Sequence, residues 1–169
     1  MACLVAVARC VVAPYRVEGA SMEPTLRGGV RSEESGRGGD WVLVSRAAYW
    51  LSAPERWDVV IFESKSSPSV PSQSVKRVVG LPGERIEVHQ GGLQVDGRSL
   101  EFPAAVSQAR LATLWPRLPL TLGEDELFVL GDNGYLSNDS RQNGPVSISA
   151  LRGRVVCIVL PWTRRCWLR

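Results

Sequence analysis

Residues 75–97 read VKRVVGLPGERIEVHQGGLQVDG. Short β-branched runs at Val75–Val79, Arg85–Val88 and Leu93–Val95 are separated by Leu81-Pro-Gly83 and Gln90-Gly-Gly92 and closed by Asp96-Gly97. Runs of this length, broken by Gly and Pro that reverse the chain, are the pattern of neighbouring antiparallel strands. The pattern extends both ways: Trp41–Ser45 and Trp57–Phe62 precede it, and Leu127–Leu130 and Arg154–Leu160 follow. Helical periodicity is scarce, and the one weak candidate, Ala104–Leu114, ends at Trp115-Pro116. Many short strands without crossover helices predict an all-β sandwich or barrel, mainly antiparallel, with long loops and little helix. Arg27–Gly39 and Glu63–Ser74 are rich in Gly, Ser, Pro and charge and read as solvated loops leaving that core.

Composition bounds the rest. A chain of 169 residues, 44% of them hydrophobic, makes one domain with a real core and is not wholly disordered. The net charge of +3 is too mild to imply nucleic acid by itself. Cys3, Cys10, Cys157 and Cys166 form no C-x-x-C pair and read as thiols in apolar surroundings. With His89 as the sole histidine, His-rich metal sites and a Ser-His-Asp triad are disfavoured. The first 14 residues are apolar apart from Arg9, but no uninterrupted apolar run reaches the roughly 18 residues of a spanning helix, so several spans are excluded. The segment lacks the basic start of a cleavable leader and reads as a truncated anchor, an interfacial helix or a first core element.

A nucleophilic serine without a histidine needs another base, and a buried lysine is the main alternative. Lysine acts as a base only after losing its proton, and burial in apolar surroundings lowers its pKa from about 10.4 by up to several units. The chain has two lysines, Lys65 and Lys76. Lys65 belongs to the Ser/Pro loop, whereas Lys76 lies inside a β run, on the face of Val78 and opposite Val75 and Val79. An edge-strand lysine turned to solvent would fit the same segment, although Arg77 beside it obliges one of the two charges to face inward. Upstream, Gly19 and Ala20 leave the Ser21 hydroxyl accessible, but the stretch equally suits a turn or a helix cap. Downstream, Gly131–Arg141 reads either as an Asx-rich turn with a surface Asp139–Arg141 pair or as support for a site made by other segments.

In this order the segments resemble the type I signal peptidases, the Ser/Lys peptidases that remove leader sequences. Gly19-Ala-Ser-Met-Glu-Pro-Thr-Leu26 looks like the nucleophile box. Gly39–Val44 and Trp57–Phe62 look like the strand box. Lys76-Arg-Val-Val-Gly-Leu-Pro-Gly-Glu84 resembles the lysine box. Gly131-Asp-Asn133, Ser137-Asn-Asp-Ser-Arg141 and Gly144-Pro-Val146 resemble the terminal box. The resemblance runs from about residue 17 to residue 162, with Ser21 and Lys76 55 positions apart.

The resemblance implies a signal-peptidase-like β-barrel or sandwich, with residues 1–16 as a truncated or partial anchor and residues 17–169 as the catalytic domain. It implies a membrane-associated serine endopeptidase that cuts leader peptides from exported precursors after small residues of the Ala-x-Ala type. Ser21 would be the nucleophile and Lys76 the general base. Ser137 would hydrogen-bond and orient the Lys76 amine, with Asp139 and Arg141 as supports. The Ser21 N–H would enter the oxyanion hole, to which some bacterial members add a hydroxyl two residues earlier, where this chain has Gly19. Gly134 stands where many members carry Arg. No cofactor or metal is implied, and the partners are leader-bearing precursors, the lipid surface and a partner subunit, not nucleic acid. The implied location is the bacterial plasma membrane with the site facing outward. Alternatives are a mitochondrial inner-membrane peptidase subunit and a soluble self-cleaving Ser/Lys peptidase. A β-barrel nucleic-acid module is the rival outside the enzymes; only Trp162–Trp167 interleaves aromatic and basic residues.

Overall fold

Val59, Val60, Ile61 and Phe62 are all buried, which successive strand residues achieve only where both faces of a sheet are covered. The computed structural model describes residues 11–29, 38–50, 52–64, 72–90, 92–104, 106 and 118–168. Within them lie twelve strands: β1 (Val12–Arg16), β2 (Trp41–Ser45), β3 (Val59–Ser64), β4 (Ser72–Gly80), β5 (Arg85–His89), β6 (Gly92–Val95), β7 (Arg98–Ser99), β8 (Leu120–Thr121), β9 (Glu126–Leu130), β10 (Val146–Ser147), β11 (Leu151–Leu160) and β12 (Cys166–Trp167). One short α-helix, α1, covers Ser140–Asn143. The larger sheet runs β1-β2-β11-β3-β4-β9-β10 with β12 also on β11, and the smaller runs β7-β6-β5-β8. Every pairing between these strands is antiparallel, as expected of an all-β chain with little helix.

Alternation along the central strands sorts their side chains into three apolar clusters. Val59 and Ile61 of β3 join Val17, Met22, Leu26, Val42, Val44, Val155 and Ile158 on one face. Val60 and Phe62 join Val78, Leu127 and Val129 on the other. Phe128 and Leu130 of β9, with Val79 of β4, meet Ile86, Leu93 and Val95 of the smaller sheet. The two sheets therefore share a core near the end of β4. Strands β3, β4 and β9 are sandwiched on both sides, and a charged residue placed among them is withdrawn from water.

Two boundaries differ from the sequence reading. The run beginning at Trp57 becomes strand only at Val59, because Trp57 takes a left-handed backbone (φ 77°) and Asp58 accepts hydrogen bonds from Glu55 N and Tyr49 Oη. The loop expected over Glu63–Ser74 is strand at both ends, with Glu63 opposite Gln73 and Ser64 opposite Ser72. Ladder hydrogen bonds need only backbone, so Ser and Gln continue a hairpin that their composition disguises. Residues 65–71, including Lys65, lie outside the described residues. So do most of Ala104–Leu114, the middle of Arg27–Gly39, and Cys3 and Cys10.

Candidate active site

Ser21 sits in the turn that follows Val17. Glu23 N donates to Ala20 O at 3.2 Å and Leu26 N to Met22 O at 2.9 Å. The fully buried side chains of Met22 and Leu26 tie this turn into the core. The turn is also tied to its neighbours through backbone. Gly19 adopts φ 72°, and a Cβ on Gly28 would collide with the Gly19 carbonyl, so the two chains cross where only glycine fits.

Lys76 lies opposite Val60 in the β3–β4 ladder and is 5% exposed. The side chain is turned inward rather than to solvent, so the alternative of a solvent-facing edge lysine does not hold. Lys76 Nζ is 2.7 Å from Ser21 Oγ and donates to Val75 O at 2.9 Å. Burial pushes the pKa of this amine below the ordinary lysine value of 10.5. The charges of Asp139 and Asp132 oppose the shift, and that of Arg141 adds to it. The folded chain thus holds fewer protons here than the unfolded chain. This group's contribution to stability rises with pH between its folded pKa and 10.5, and protonation below that window is a standing cost.

Arg77, the next residue, faces the other way and is also buried. It makes a two-pronged pair with Asp132, Nε to Oδ1 at 2.8 Å and Nη2 to Oδ2 at 2.7 Å, and donates through Nη1 to Trp57 O at 2.9 Å. The Thr25 hydroxyl donates to the same Asp132 carboxylate. Asp132, two residues past β9, therefore grips both the lysine strand and the serine turn. Sequence reasoning quoted Thr25, Arg77 and Asp132 within boxes but assigned none a role. Their meeting depends on the register that sets Arg77 opposite Leu130, which no local pattern reveals.

Asp139 and Arg141 are buried, so the surface-pair alternative is replaced by an internal one. Arg141 Nε reaches Asp139 Oδ1 at 2.8 Å and Nη2 reaches Oδ2 at 2.9 Å. The Asp139 carboxylate also accepts from Gly131 N at 2.9 Å and caps α1, while Arg141 Nη1 donates to Gly134 O at 2.9 Å. This pair ties α1 to the end of β9. From that end, Asn133 N donates to Ser21 O at 3.0 Å. Gly131 is obligatory here, since a Cβ would run into the Ser137 side chain and, at 2.5 Å, into Ser21 O. Ser137 is buried in the same crevice, but its hydroxyl has no hydrogen-bond partner among the described residues. The bond expected from Ser137 to Lys76 is absent from this arrangement. His89, at the exposed end of β5, belongs to the smaller sheet and stands apart from these groups.

A cleft of about 230 Å³ opens onto the pair, lined by Tyr15, Val17, Val42, Ile61 and Val75 together with Ser21 and Lys76. Its walls include the extended stretches Arg16–Glu18 and Gln73–Val75. Residues Ser72–Lys76 pair with β3 on one side, while the β9 ladder begins only at Arg77. Among the described residues, that half of β4 presents a free edge to the cleft. Chemically, the arrangement offers a hydroxyl held against an amine whose burial favours loss of its proton, beside a partly apolar slot.

The signature of the family described as "Signal peptidase, peptidase S26" matches residues 1–162. A signal peptidase I of Bacillus caldolyticus is 33% identical over 165 residues, which span 90% of this chain and 82% of that protein. A signal peptidase I of Bacillus amyloliquefaciens is 33% identical over 134 residues, spanning 76% of this chain and 63% of that protein. The crystal structure of a signal peptidase I from Enterococcus faecalis V583 is 33% identical, covers 61% of this chain and 97% of its own, and superposes with a TM-score of 0.49. As a prediction from the geometry, Asp132→Ala strands a buried guanidinium and lowers stability by about 3–5 kcal/mol, measurable by urea denaturation. Loss of under about 1 kcal/mol would mean that Arg77 finds another partner.

Proposed function

The chain belongs to the signal peptidase family, peptidase S26, and on that premise we propose that it is a membrane-associated serine endopeptidase cutting leader peptides from exported precursors. Ser21 is the nucleophile and Lys76 the general base. The observation that carries the reading is the 2.7 Å approach of a pKa-lowered amine to a serine hydroxyl at the head of a peptide-sized cleft.

Neutral Lys76 takes the Ser21 proton as the hydroxyl oxygen attacks the scissile carbonyl. The C–N bond then breaks, and the same ammonium gives its proton to the departing amine, leaving an ester on Ser21. Water enters and loses a proton to Lys76 as its oxygen attacks the ester carbonyl; the C–O bond to Ser21 then breaks, and the Lys76 ammonium returns the proton to Ser21 Oγ, restoring both side chains. The Ser21 N–H is the natural donor to the developing oxyanion. Gly19, with no side chain, supplies no second hydroxyl. Asp139 and Arg141 act as supports, and Ser137 is a hydroxyl within the same crevice, available to the amine once substrate shifts it.

The leader peptide binds as an added strand between Arg16–Glu18 and the free edge of Ser72–Lys76, by β-augmentation. Apolar lining from Val17, Val42, Ile61 and Val75 suits small apolar residues before the cut. Attachment to the membrane is assigned to the apolar start of the chain, whose residues run directly into β1 of the catalytic sheet. No helix among the described residues is long and apolar enough to cross a membrane. Co-flotation of the chain with lipid vesicles is the expected outcome, and its absence would argue against attachment through this segment.

The catalytic assignment is tested on a precursor carrying an Ala-x-Ala site. Wild type cuts after the second Ala, while Ser21→Ala and Lys76→Ala each lose about a thousandfold or more in kcat/KM. Only the neutral amine works, so kcat/KM rises with pH to a plateau whose midpoint lies below 10.5. Cutting that survives Ser21→Ala, or a flat profile with chemistry rate-limiting, would overturn the dyad.

A further inference from the structure

The far end of the chain returns to the serine turn. After β11, the short helical turn Trp162–Arg164 sends the Arg164 side chain back across the sheet. Its Nε lies 3.0 Å from Asp40 Oδ1, and its Nη2 lies 3.1 Å from Asp40 Oδ2, 3.0 Å from Thr25 O and 3.3 Å from Pro24 O. Asp40 itself is 1% exposed. Its carboxylate accepts from Arg27 N at 2.8 Å, its own N–H donates to Arg27 O at 2.8 Å, and its carbonyl accepts from Val17 N at 2.8 Å. Asp40 thus holds the chain on both sides of Ser21, and Arg164 joins that anchor to the carbonyls of the turn between them.

We infer that Arg164 and Asp40 form a positioning pair for the peptidase reaction, fixing the turn that presents Ser21 to Lys76 without touching substrate. The inference rests on the Ser21–Lys76 reading. Two features separate this role from general support. First, Met22 and Leu26 anchor the turn in the core independently of the arginine, whose own contacts are to the Pro24 and Thr25 carbonyls. Second, the pair feeds into both halves of the dyad. Thr25, whose carbonyl Arg164 holds, donates its hydroxyl to Asp132, and Asp132 grips Arg77, the residue after Lys76. A planar guanidinium can satisfy a carboxylate and two carbonyls at once from a fixed fork, which an ammonium cannot do.

The test uses the full chain and an Ala-x-Ala peptide, with kcat, KM and thermal midpoint measured for wild type, Arg164→Ala and Arg164→Lys. A displaced reacting group costs on the order of 100-fold in rate, so Arg164→Ala is expected to stay folded and lose about that factor in kcat. Its KM should stay within about threefold, since the lost interaction acts on the chemical step rather than on binding. The Arg164 side chain is 21% exposed, so free guanidinium can refill the site. Guanidinium at tens of millimolar, well below denaturing levels, is expected to restore kcat of Arg164→Ala at least about tenfold. Methylammonium at the same concentration restores nothing, and Arg164→Lys stays impaired. A folded Arg164→Ala with wild-type kcat, or a loss that follows unfolding and ignores guanidinium, overturns the positioning pair while leaving the dyad intact. A wild-type chain that cuts nothing overturns the peptidase reading itself and this inference with it.

Discussion

The molecule is organised around a primary amine kept out of water beside a serine hydroxyl. Strand β4 carries two cations in succession to opposite faces, and the sheet treats them differently. Arg77 cannot shed its proton, so it is matched by the bidentate carboxylate of Asp132. Lys76 makes no ion pair with a carboxylate among the described residues; its neighbours are the Ser21 hydroxyl and the Val75 carbonyl. A buried ammonium without a counter-charge is costly, and the cheapest relief is loss of the proton. The same burial therefore demands a partner for one cation and eases loss of the proton from the other.

The two internal ion pairs then acquire a second meaning. Asp132 and Asp139 are the acids whose charges would hold Lys76 protonated. Each is engaged by its own arginine, Asp132 by Arg77 and Asp139 by Arg141. Paired in this way, the carboxylates organise the loop after β9 and cap α1, and the charge of Arg141 opposes their pull on the amine. The backbone contacts follow the same economy of space. Gly131 lets the Ser21 carbonyl approach, and Asn133 N donates to it, so the serine turn, the lysine strand and the loop after β9 close on one point.

Much of this was legible in the chain. Short β-branched runs located β2, β5 and β6 to within about a residue, a closeness that boundary reading does not usually reach, because each is bounded by Gly, Pro or Asp turns. The oddity of a lysine inside a β run singled out Lys76 before any partner was known, and alternation placed it with Val78. What stayed hidden depends on register. Nothing local distinguishes a surface Asp139–Arg141 pair from a buried one, or tells that Asp132, two residues past β9, faces Arg77. The link from Arg164 to Asp40 spans 124 positions and follows from how β11 ends. Composition also misled at the β3–β4 hairpin, where serines and Gln73 occupy strand positions.

Lys76 is expected to lose its proton at a lower pH than an ordinary lysine, and the chain is well suited to a direct measurement. It contains two lysines, Lys65 and Lys76, so ε-carbon labelling yields two resonances, assigned with a Lys65→Arg variant. Titration followed by NMR should show the Lys76 signal changing with a midpoint below 10.5, because burial disfavours the ammonium. A Lys76 signal that titrates at or above the ordinary lysine value would contradict the account, because the amine beside Ser21 would then be an ammonium and no base at all.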